Sequence, residues 1–84
     1  MNKNITVHPD DQAIMKEANA HFGSFQGGEQ LHRKASAAYE RLALQHDEEG
    51  NIHFAASFRA MAQRHRDRAA WHANPHALRN PKRK

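Results

Sequence analysis

Apolar residues recur at helical spacing on both sides of a short polar segment in the middle of the chain. Before it, one stripe repeats at steps of four, three and four and consists of Leu31, Ala35, Ala38 and Leu42. After it, a second stripe of similar period consists of Phe54, Phe58, Met61, Ala62, His65 and Ala69. Such spacing places each set on one face of a helix. The pattern therefore predicts two amphipathic helices, over about residues 29–47 and 51–73.

The polar segment between the stripes has the composition of a turn between two helices. Gly50 suits the left-handed backbone position just past a helix end, and Asn51 suits the N-cap of the next helix. Because so short a connection makes its two helices antiparallel neighbours, the pattern predicts a helical hairpin. We expect Phe58 to be buried at the centre of this hairpin.

A shorter helix is predicted ahead of the hairpin, over about residues 9–22. Pro9 suits the first helical position, and the acidic pair Asp10 and Asp11 favours a helix start. A helix of this length is not stable alone, so its apolar face must dock on the hairpin or on a partner. The glycine-rich segment 23–28 predicts a hinge, since it lacks the lysine and hydroxyl residue of a phosphate-binding loop.

The third helix is also apolar on a second side. That side carries Ile52, Ala56, Ala60 and Trp71. A helix with two apolar faces is usually buried on both, so we expect the first helix or a second copy of the chain to cover this side. The second possibility predicts a homodimer.

Composition sets limits on the core and on the class of protein. The chain has 84 residues, 38% of them hydrophobic, and a mean hydropathy of −1.02, so we expect one domain over residues 1–84 with a thin, alanine-rich core. The sequence contains no cysteine, which fits a reducing compartment. No apolar run reaches the ~20 residues that span a bilayer, and the first residues lack a signal-peptide core. We expect a soluble, cytoplasmic protein that does not bind membranes.

Charge is distributed unevenly along the chain. Residues 1–50 carry five basic and eight acidic side chains, whereas residues 51–84 carry eight basic and one acidic. The two parts have net charges of −3 and +7, so the basicity belongs to the last third. Residues 74–84 are predicted to form a disordered basic tail.

The chain offers little catalytic chemistry. It contains eight histidines, but none has the spacing of a helical zinc protease, and a partial site of His46, Glu49 and His53 is the closest approach to a metal-binding group. Its three serines lie outside any nucleophile-elbow sequence. We therefore expect no enzyme and no metal or other cofactor, and a metal-dependent switch is the third hypothesis for function, after the two given below.

The last third supplies the candidate partner-binding residues. They are Arg59, Arg64, Arg66, Arg68, Trp71, His72, Arg79, Lys82, Arg83 and Lys84. The leading prediction is a small protein-binding module, an inhibitor or regulator of the kind carried by phages and mobile elements, that binds a larger protein with an acidic surface. Trp71 is its candidate anchor. The alternative is binding to DNA or RNA, because arginine pairs well with phosphate and Trp71 or His72 can stack on a base.

A resemblance covers about residues 32–72, half of the chain. It is carried by Ala35, Ala38, Tyr39, Glu40, Ala43, His46, Gly50, Asn51, Ala55, Ala56, Ala62, His65 and Ala69. This part of the chain resembles short bacterial His- and Ala-rich helical-hairpin proteins, which have no assigned activity. The resemblance implies a helical hairpin and no catalytic role.

Overall fold

The computed structural model describes residues 5–22 and 28–73, which form three α-helices. The helices are α1 (Pro9–Ala20), α2 (Gly28–Glu48) and α3 (Ile52–Ala73). The prediction of an all-α protein is confirmed. The predicted tail and most of the predicted hinge, residues 74–84 and 23–27, lie outside the described residues.

Local sequence signals set the helix ends. Pro9 occupies the first turn of α1, and the Nδ1 atom of His8 accepts a hydrogen bond from the backbone N–H of Asp10 at 3.1 Å. After α2, Gly50 has a φ of 81°, which glycine adopts without the steric cost that a Cβ brings. The N–H of Asn51 donates to the carbonyl of His46 at 2.8 Å, and the N–H of Gly50 donates to that of Asp47 at 3.0 Å. This pair of bonds is a Schellman motif, which ends α2 and leads directly into α3.

The residues of α2 and α3 that line the contact between the two helices follow a spacing of three and four residues, and all of them are buried except the half-buried Phe58 and His72. On α2 the repeat is His32, Ala35, Tyr39, Leu42 and His46, and on α3 it is Ala55, Phe58, Ala62, His65, Ala69 and His72. A repeat of 3.5 residues is the spacing of coiled-coil seams, in which each side chain inserts between residues of the facing helix. His32 contacts His65 near one end, and His46 contacts Phe54 and Phe58 near the turn, so the two helices run antiparallel.

The core is composed mostly of alanine. In the part of the chain that the structure describes, the buried hydrophobic residues are Ala18, Ala35, Ala38, Tyr39, Leu42, Ala43, Ala55, Ala62 and Ala69. Small side chains let the helix backbones approach closely, but each contributes little apolar area. The expectation that Phe58 is buried is wrong, because its side chain is half-buried. Phe54, also assigned to the core stripe, is 56% exposed because it lies beside the turn, where α3 begins.

Helix α1 packs mainly against α2. Arg41 donates two hydrogen bonds to the carboxylate of Asp11, at 2.7 and 3.1 Å, and the side-chain amide of Gln45 exchanges two bonds of 2.8 Å with the backbone of Thr6. This position leaves the second apolar side of α3 uncovered near the turn, where Ile52 is 69% exposed. Of the two alternatives for covering that side, α1 is therefore ruled out near the turn. Within the described ranges, none of the helices has both the length and the apolar character needed to cross a bilayer.

Candidate functional site

Two of the four arginines of α3 form ion pairs with α2. Arg59 pairs with the carboxylate of Asp47. Arg66 donates to Glu40 at 2.7 Å and also contacts the hydroxyl of Ser36 at 3.2 Å. These contacts neutralise much of the positive charge that the sequence places on the third helix. The predicted arginine surface therefore divides into two arginines that pair with acids of α2 and two, Arg64 and Arg68, that lie on another face of α3.

The other two arginines lie over aromatic rings and line an open groove. The guanidinium carbon of Arg64 is 4.7 Å from the ring centroid of Phe22, and that of Arg68 is 5.8 Å from Phe22 and 4.1 Å from Trp71. Asp67 completes the lining of the groove, which has a volume of about 320 Å³. Guanidinium groups over ring faces are held by cation–π attraction, which keeps them in place without removing their charge. We call this feature the Arg–Trp groove.

Directly beneath Phe22 lies a chain of hydrogen bonds that runs from Asn19, an exposed residue of α1, to three buried side chains of α2 and α3; we call it the histidine chain. The side-chain amide of Asn19 on α1 donates to the hydroxyl of Tyr39 on α2 at 2.8 Å. The carbonyl oxygen of Asn19 lies 2.9 Å from Nε2 of His65, and Nδ1 of His65 lies 2.9 Å from Nδ1 of His32. The His32 and His65 planes differ by 19° with centroids 5.1 Å apart, so the rings meet edge to edge through these nitrogens.

The hydrogen-bond partners define the tautomers of the two rings. Because the oxygen of Asn19 accepts, Nε2 of His65 carries a proton and its Nδ1 atom accepts from Nδ1–H of His32. The Nε2 atom of His32 is then unprotonated, and it is buried with no hydrogen-bond partner among the described residues. Reversing the chain would leave an N–H group buried there instead, and buried donors are the rarer exception in folded proteins. The structure thus favours neutral rings with one shared proton.

Burial lowers the pKa of all three clustered histidines. Desolvation, followed by the nearby charges of His65, His72, Arg68 and His21, lowers the pKa of His32 to about 4. Desolvation and then Arg64 lower the pKa of His65. His72 stacks on the His32 ring at 5.5 Å; desolvation and Arg68 lower its pKa, and Glu29 opposes that shift.

The other histidines near the turn do not form the partial metal site considered from the sequence. His46 is buried against Phe54 and Phe58, at 5.4 and 5.2 Å, whereas His53 is exposed. In the described part of the chain, no three histidine, aspartate or glutamate side chains are grouped so that they could hold a metal ion.

The predicted site residues therefore divide into three groups. Arg64, Arg68 and Trp71 line the Arg–Trp groove, and His72 lies directly behind it against His32 and Trp71. Arg59 and Arg66 lie away from the groove in ion pairs. The remaining four predicted residues lie outside the described residues: Arg79, Lys82, Arg83 and Lys84.

Sequence reasoning missed three residues of this region: Asn19, Phe22 as a groove wall, and His32. His32 occupies a seam position in the repeat that continues through Ala35 and Tyr39. A search with a period of 3.5 residues would have placed it in the interior. Asn19 and Phe22 carry no comparable signal, since their positions depend on how α1 packs. No protein family, curated protein or solved structure was found to match the chain.

Proposed function

We propose that this chain is a small, non-enzymatic protein-binding module that docks a larger cytoplasmic protein in the Arg–Trp groove. The observation that supports the proposal is the pairing of two arginines with the Trp71 and Phe22 rings at one end of the molecule. Tryptophan and arginine are the residues most enriched among the energetic anchors of protein interfaces. An inhibitor or regulator is the kind of protein that this surface suits.

The occupant that the groove favours is an acidic protein segment with an apolar side chain beside its carboxylate. Arg64 and Arg68 outweigh the single carboxylate of Asp67, so the groove is positive overall. Asp67 is itself held by an amide hydrogen bond from Gln63 at 2.8 Å. A carboxylate meets the guanidinium edges while an apolar side chain covers the ring of Trp71.

Nucleic-acid binding is the second candidate, and the same arginines and aromatic ring favour it. Charge is the argument against it. The chain has a net charge of +4, and within the helices Asp47 and Glu40 of α2 pair with Arg59 and Arg66 of α3. Phosphate binding draws its affinity from a row of unneutralised cations, and the helices do not present such a row.

A pulldown from the source cells, with and without nuclease, tests the proposal. We expect one protein to be retained after nuclease by the native chain, to be lost with Trp71→Ala, and to be retained with Arg59→Gln as the matched control. Loss of every partner on nuclease treatment would instead support nucleic acid. In that case affinity would fall by about 0.9 log units per phosphate contact for each tenfold rise in salt.

We also propose that two copies of the chain associate. Among the described residues, the exposed large hydrophobic side chains are Leu44, Ile52 and Phe54, and their exposed fractions are 54%, 69% and 56%. A domain with an alanine core gains more from covering such residues than one with a large apolar interior. The homodimer uses the turn end of α3, which lies at the opposite end of that helix from the Arg–Trp groove.

A further inference from the structure

The histidine chain joins all three helices through three hydrogen bonds, and one shared proton links its two rings. Asn19 belongs to α1, His32 and Tyr39 to α2, and His65 to α3. Phe22, just beyond α1, rests edge-on against both histidine rings, with centroids 5.7 Å from His32 and 5.1 Å from His65. The segment just after α1 therefore packs against this pair of histidines through Phe22, which is also one wall of the Arg–Trp groove.

The geometry accepts only one proton between the two rings. If each ring carried protons on both nitrogens, two N–H donors would face each other across 2.9 Å. The charges around the pair also oppose a second proton. His21 approaches from the α1 side, and Arg64, Arg68 and His72 approach from α3. On α2 the opposing carboxylate is that of Glu29, and it acts on His72.

We propose that the His32–His65 pair is a proton-operated latch that holds the C-terminal end of α1, and with it Phe22, against α2 and α3. The first proton goes to the Nε2 atom of His32, where it makes a buried cationic N–H with no acceptor among the described residues. A second proton, on Nδ1 of His65, sets two N–H groups against each other, and the rings separate. Phe22 then leaves the wall of the groove. The latch itself is independent of any partner, whereas its role as a gate for docking rests on the proposed function.

The direction of the pH effect follows from the lowered pKa values. The released histidines titrate near 6.5 and the latched His32 near 4, so the latch is intact above about pH 6.5 and weakens as the pH falls towards 4. At pH 5, His32 alone raises the equilibrium constant for α1 release about 30-fold relative to pH 8. His65 acts in the same direction.

Hydrogen exchange of the full chain at pH 8 and pH 5, corrected for intrinsic rates, tests the latch. We expect the opening constants of the Ala18, Asn19 and Ala20 amides to rise at least 30-fold. A background variant, His8→Asn, keeps a non-titrating cap at the start of α1 and so removes fraying there as a cause. An unchanged opening constant, or an equal rise throughout α2 and α3, would overturn the proposal.

Two variants separate the latch from general acid sensitivity. His32→Asn keeps a side-chain N–H near the position of Nδ1 but does not titrate, and it should make the change between pH 8 and pH 5 about 30-fold smaller. His53→Gln removes an exposed histidine beside the turn and should leave the change intact. Equal effects of the two variants would contradict the latch.

A second measurement does not depend on variants. Nitrogen chemical shifts of the native chain at pH 8 should show His32 protonated at Nδ1 and His65 at Nε2. Any other tautomer pattern overturns the proposed chain of bonds. If α1 is released at pH 5 while the pulldown finds no protein partner, the latch stands and the docking function fails.

Discussion

At the scale of single residues, the aromatic side chains of α3 differ in how much they contribute to the stability of the fold, according to their position along the helix. Phe58 lies 6.1 Å from the Tyr39 ring and 5.2 Å from that of His46, so it packs on both sides although it is only half-buried. Phe54 contacts His46 alone among the described ring pairs, and more than half of its surface is exposed. The two phenylalanines form a matched pair for testing where the core ends.

We expect Phe58→Ala to lower the free energy of unfolding by about 2 kcal/mol, below the 3–5 kcal/mol of a fully buried phenylalanine. Phe54→Ala should cost about 1 kcal/mol or less, because little of its surface leaves water on folding. Urea denaturation of the two variants measures both values. A larger loss for Phe54→Ala would show that the core extends further towards the turn than described above.

The backbone at Gly50 allows a second test at this scale. A Cβ added there would meet no atom within 4 Å, so any cost of substitution comes from the left-handed φ of 81° alone. We expect Gly50→Ala to destabilise the fold by about 1 kcal/mol, and Gly50→Asn to cost less because asparagine tolerates this conformation. Thermal unfolding followed by circular dichroism gives the order, and equal stability of all three chains would contradict it.

At the scale of helices, α2 and α3 share a packed seam, whereas α1 combines one buried residue, Ala18, with polar contacts to α2. Arg41→Gln removes the two bonds to Asp11, which lie at the surface, so it should cost about 1 kcal/mol at most. We expect the opening constant of α1 to rise up to about 5-fold in hydrogen exchange, with α2 and α3 unaffected. Arg33→Gln is the control, because its partner Glu29 lies on the same helix. A change throughout α3 would show that the helices unfold together.

The helix features that could be predicted are those that depend only on residues close to one another in the sequence. Pro9 and Gly50 act through their own backbone geometry, so the start of α1 and the turn after α2 could be read directly. The position of α1 depends on contacts between residues distant in sequence, such as Asn19 with His65, and no local pattern encodes them. For the same reason the neutralisation of Arg59 and Arg66 by α2 could not be predicted from the charge count.

At the scale of the whole molecule, the exposed apolar residues near the turn bear on self-association. We expect light scattering at tens of micromolar to give twice the chain mass of 9.6 kDa. Ala56→Glu, on the uncovered side of α3, should give the single-chain mass, whereas Ala37→Glu, at an exposed position of α2, should not. A single-chain mass for the native protein would remove the dimer and leave the Arg–Trp groove unaffected.

The alanine core has a consequence for how this protein can change by mutation. An alanine codon mutates in one nucleotide step to valine, threonine, serine, glycine, proline, aspartate or glutamate. At the fully covered positions Ala35, Ala43, Ala55 and Ala62, valine and threonine are too large, glycine and proline weaken the helix, and serine or a carboxylate brings an unpaired polar group. Alanine scanning would not detect these sites, although almost no single-nucleotide change in their codons gives a residue that fits there. Variation among descendants of this gene should therefore accumulate on the outer faces of the helices while these four positions stay fixed.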